Sequence, residues 1–115
     1  MTGGSINADQ MAVGRSAQAT KILSTANDAL EQKGLTEIRD KLDELLKEIT
    51  AHADSLHNPD EVLDSTKAVA EELSKDKPNK LTITGILNGI VESVGSIARI
   101  ATAADSLAKA VMLFL

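Results

Sequence analysis

From residue 83 onward, apolar side chains fall at Ile83, Leu87, Ile90, Val94, Ile97, Ala101, Ala104, Ala108, Val111 and Leu115. The spacings alternate between four and three, the period of a helix that buries a heptad a/d stripe. This pattern predicts one long helix over about 82–115, with those ten residues as its packing interface. Ile86, Ile100, Leu107 and Phe114 flank the stripe on one side. Val91, Ala98 and Met112 flank it on the other, interrupted by Asp105. So wide a face predicts contact with two or more neighbours, as in a bundle. Unbroken, the helix would reach roughly 50 Å. Gly85, Gly89 and Gly95 each weaken it by about 1 kcal/mol relative to Ala, so 85–95 is the weak section where a kink or break would fall.

The central part of the chain carries two more helical patterns. Leu35, Ile38, Leu42, Leu45, Ile49 and Leu56 predict an amphipathic helix over about 35–57. Asn58-Pro59-Asp60-Glu61 then reads as a helix start. Asn58 is expected to cap free N–H groups, Pro59 suits the first turn, and the two acids suit the positive helix end. Val62, Thr66, Val69 and Leu73 line one face of that helix, over about 59–75, and 77–80 is its linker. A shorter helix over about 23–33 precedes Gly34, a good helix stop. Residues 1–22 read as an N-terminal arm: a strand or short hairpin around Gly14, a coil ordered on contact, or a helix beginning at Ser16. The expectation is therefore a mainly α fold. A bundle of three to four helices spans 23–115 and ends in a long C-terminal helix, behind a partly extended arm.

Composition narrows the function classes. Phe114 is the only aromatic residue in 115, so the core must be built from Leu, Ile, Val and Ala. Such a core suits close helix packing and suits base-stacking surfaces poorly. Net charge is −5, with twelve acids and six bases over 35–77 and no basic patch, which argues against nucleic-acid binding. Cysteine is absent, which removes disulfides and thiolate chemistry. The N-terminal stretch lacks the basic start and apolar centre of a signal peptide, so cytoplasmic residence is expected.

Candidate chemistry is sparse. His52 and His57 are five residues apart and diverge around a helix by roughly 140°, so a shared metal site is not expected. Asp40, Asp43, Glu44 and Glu48 lack the paired Glu-x-x-His arrangement of carboxylate metal bundles. Glu71 and Glu72 read as a solvated face. No nucleophile elbow or phosphate loop is present, so no enzymatic activity and no cofactor are expected. Gly85-x-x-x-Gly89 is the one pattern with a membrane meaning, since it lets helices approach closely in lipid. Its uncharged run, 81–91, is eleven residues, against about 20 for a full span.

Val13-Gly14-Arg15-Ser16-Ala17-Gln18-Ala19-Thr20 resembles the opening of a diffuse group of small bacterial proteins. Those share a VGR-small-A-x-A start and a Gly/Ala-rich C-terminal helix, and many look like accessory modules of mobile or conflict-related genes. The resemblance implies an interaction role and no particular activity. The same stretch is similar to one rung of the β-roll heads of trimeric adhesins. Those repeat many times, and one copy implies at most pairing between subunits. The function expected is a non-enzymatic, homo-oligomeric helical interaction or scaffold module. Its acidic helices would face another protein. The alternative is a membrane-active effector using the C-terminal helix.

Overall fold

The computed structural model describes residues 3–115, with side chains from Ala17 onward. Its elements are α1 (Gly3–Gln32), α2 (Thr36–Ala51), α3 (Pro59–Leu73), α4 (Lys80–Ser93) and α5 (Ala98–Phe114). A short 3-10 turn, Ala53–Ser55, follows α2. The fold is mainly α and a bundle, as the hydrophobic pattern predicts.

Two expectations are corrected. The extended or β arm over 1–22 is not found among the described residues: α1 is continuous from Gly3 and absorbs the shorter helix expected over 23–33. From Ala17 on, α1 buries Ala19, Ile22, Ala26 and Leu30 at helical spacing. The long C-terminal helix is the second correction. It breaks at Val94–Ile97 into α4 and α5, which fold back on each other. Val94 closes α4 by donating its N–H to Ile90 O, and Ile97 donates to Val94 O to turn the chain. Gly95 and Ser96 lie in this turn, where poor helix formers lower the cost of the break.

Other boundaries follow local chemistry. Gly34 has φ +73°, a left-handed conformation that Gly adopts without a Cβ penalty. Its N–H bonds Glu31 O, and the Leu35 N–H reaches back to Leu30 O at 2.8 Å, which together make a Schellman stop. α2 ends at Ala51, earlier than 57, and after the 3-10 turn the chain leaves helical dihedrals before Pro59: Leu56 has ψ 141° and Asn58, which proline bars from the α region, φ −133°. Asn58 occupies the N-cap position of α3, but its side chain makes no capping bond. Asn79 does cap: its Oδ1 accepts the Thr82 N–H at 3.0 Å.

The helices close a ring. α1 packs on α2 and α3, α3 on α4, α4 on α5, and α5 on α2, while α2 and α3 also touch across it. Leu42, Leu45, Leu63, Leu73, Leu87 and Leu107 are fully enclosed within one contiguous core. The up-and-down course gives the bundle two poles. One pole gathers the ends of α1, α3 and α5 with the starts of α2 and α4. Lys33 Nζ there donates to Leu73 O and Lys75 O. At the opposite pole Asn58 and Val62, beginning α3, meet Ile90 and Ser93, ending α4.

Candidate interaction surface

The structure distributes the ten stripe residues unevenly. Ile83, Leu87, Ile90, Val94, Ala104 and Val111 are buried inside the chain's own bundle. Ile97, Ala101, Ala108 and Leu115 are half-buried at its edges. On α5 the centre of the buried face is Ile100, Ala104, Leu107 and Val111. That face is rotated from the predicted one because α5 lies between α4 and α2, and the larger side chains turn inward. The stripe is therefore largely closed within the monomer.

The apolar surface that remains lies elsewhere. Among the described side chains, the large hydrophobic residues left exposed are Leu81 (76%), Met112 (54%), Leu113 (77%) and Phe114 (47%). All four sit at the pole where α4 starts and α5 ends. Leu81, Met112 and Leu113 flank an open groove of about 510 Å³ between the two helices, which Ala108 also lines. Thr84 and Asn88 continue one wall along α4, and Lys109 stands at the other edge. Lys109 is tied to Asp105 at 3.1 Å, so the rim charges are mutually neutralised. Beyond Leu113, Phe114 faces Glu37 and Lys41 of α2 across a shallower depression.

Sequence reasoning missed this surface because it followed the regular stripe. A signal was present. Val111-Met112-Leu113-Phe114 advances about 100° per residue, so the four cannot share one buried face. Within the chain Gly85 and Gly89 meet no neighbouring helix: both are exposed, and a Cβ at either would meet nothing within 4 Å.

Charge separates the poles. Residues 43–65 carry seven acids and one base, whereas 31–41 and 71–82 each carry three of both. The acidic pole holds a notch of about 240 Å³ bordered by His57, Glu61, Ser65 and Ser93. Just past α2, His52 Nδ1 lies 3.0 Å from the Glu48 carbonyl oxygen and 3.7 Å from Oε2. Among the described residues, no three His, Asp or Glu side chains gather as a metal site would require. Nor, among them, is any helix long and apolar enough to cross a membrane.

Glu72 departs from the solvated role expected of it. It is 9% exposed. Its Oε2 accepts the Asn79 N–H at 2.9 Å and Oε1 accepts from Lys75 Nζ at 2.9 Å. The Asn79 backbone bond, then the Lys75 bond, hold the Glu72 carboxyl below the usual carboxylate range. Because Asn79 caps α4, this carboxylate clasps α3 to the start of the α4–α5 hairpin and so braces the apolar pole. Comparisons with protein-family models, curated proteins and solved structures find no match to this chain.

Proposed function

We propose that this protein works by protein–protein contact and not by catalysis, as a homo-oligomeric helical interaction or scaffold module. One observation carries the reading: four large apolar side chains are left in solvent together at one pole, while the other described large hydrophobics are buried or partly buried. Single exposed hydrophobics are ordinary, but a contiguous set marks an interaction site. The acidic pole would remain free for a second, basic protein.

Light scattering and sedimentation equilibrium test the self-association directly. Mass per particle is expected to rise above that of the monomer as concentration increases from the micromolar into the millimolar range. A strictly monomeric mass across that range overturns the reading.

A further inference from the structure

We infer that the α4–α5 groove is a reciprocal docking site for a second copy of this chain, with Leu81 of each copy seated over Ala108 of the other. This rests on the homo-oligomeric reading above and adds its location and geometry. The first argument is shape. A two-fold interface needs a self-complementary surface, because the same patch meets itself. This patch carries projection and depression side by side: Leu81 and Leu113 stand out on either side of the groove, and the small Ala108 side chain lies between. One rotation seats both projections at once.

The second argument is area. The exposures of Leu81, Met112 and Leu113, the three that flank the groove, leave at most about 400 Å² of surface per copy if each residue is given the roughly 200 Å² of an aromatic. Two copies would bury about 800 Å² from these residues, below the roughly 1,200 Å² of a standard stable interface and fitting a weak, reversible contact. Thr84, Asn88 and the Lys109 stem extend the contact at its rim.

The third argument is electrostatic. The chain carries a net charge of −5, and its acid excess lies at the opposite pole. Meeting through the balanced pole holds the two acidic ends apart by the length of α2 in each copy, about 24 Å for its 16 residues. That separation far exceeds the screening length of about 8 Å at physiological salt. Contact through the acidic pole would instead bring like charges together.

The test uses the full chain. Leu113→Glu places a charge in the groove at an exposed position, so the monomer is expected to keep its helical circular dichroism and melting temperature. The dissociation constant for self-association should rise about a hundredfold or more, because the new carboxylate must either shed its water or hold the two surfaces apart. Lys67→Glu, exposed on α3, should leave it unchanged. The native chain has no cysteine, so a Leu81→Cys chain mixed with an Ala108→Cys chain should form an intermolecular disulfide on mild oxidation. Undiminished association of Leu113→Glu, with no mixed disulfide, overturns this geometry while the oligomeric module stands. A monomeric wild-type chain overturns both. So does a monomer that floats with anionic phospholipid vesicles and loses that flotation in Leu113→Glu.

Discussion

Two kinds of glycine substitution should move stability in opposite directions for reasons visible in the backbone. Gly85 and Gly89 lie in α4 with ordinary helical dihedrals, face solvent, and leave room for a Cβ. Replacing both by Ala removes two helix-weakening residues at about 0.8–1 kcal/mol each, so the double variant should gain about 1.5–2 kcal/mol. Gly34 also has open space around it, but its φ is +73°. An Ala there takes a left-handed strain of about 1–2 kcal/mol, offset by about 0.4–1 kcal/mol from a more restricted unfolded chain. The net expectation for Gly34→Ala is a loss of about 1 kcal/mol, from the same two effects. Urea unfolding followed by circular dichroism at sub-micromolar protein reads these differences without a contribution from association. With a slope of about 1.5 kcal/mol per molar, the double α4 variant should unfold about 1 M later, and Gly34→Ala about 0.7 M earlier. An unchanged slope would confirm that only stability moved. A destabilised Gly85→Ala/Gly89→Ala protein would refute the reasoning, since it would mean that the two glycines serve a close helix approach after all.

Three further expectations rest on burial and hydrogen bonding. Leu107→Ala empties a fully buried position and should cost about 3 kcal/mol in urea unfolding, whereas Leu113→Ala, six residues later and largely exposed, should stay within about 0.5 kcal/mol of wild type. Asn79→Ala removes a capping bond and should cost about 1 kcal/mol, measurably more than Asn58→Ala, whose side chain caps nothing. The Glu72 carboxyl is held below the ordinary glutamate value of 4.5, so its stabilising effect is fully present above that pH and fades as pH falls through the folded-state value. Glu72→Gln should therefore lower the neutral-pH melting temperature and flatten the acid side of the stability profile. A wild-type acid limb in that variant would sink the assignment.

The parts legible in the sequence were those where periodicity and size agree. Ile83, Leu87, Ile90 and Val94 repeat at four and three, and all are buried. Pro59 and Gly34 mark boundaries through single-residue backbone constraints, and the structure places both at helix ends. The break at Val94–Ile97 takes in Gly95, the last of the three glycines that marked the weak section, but its sharpness was hidden because Val94, Ile97 and Ala101 preserve the heptad period straight across the turn. A period reports which residues face inward and not whether the axis continues. α1 was hard to read for the opposite reason: its small residues around Gly14 give a weak stripe. Glu72 could not be identified by helical spacing, since its partner Asn79 lies seven residues on, across a turn.

Folding energetics explain why the regular stripe and the candidate interface came apart. A straight helix over 82–115 would carry Ile100, Leu107 and Val111 away from α2 and α4, exposing three side chains that are now buried. That exposure would cost roughly 5–9 kcal/mol. The turn gives up at most a few helical hydrogen bonds, worth about 1 kcal/mol each. It keeps replacements at Val94, Ile97 and Ile100. The hairpin wins by about 2–6 kcal/mol, a substantial share of the whole stability of a small domain, about 5–15 kcal/mol. An oligomer built on a straight stripe would first have to open the hairpin and then rebury those side chains against another copy. A contact made by the closed monomer can use only what that monomer leaves outside, and at the α4–α5 pole that is Leu81, Met112, Leu113 and Phe114.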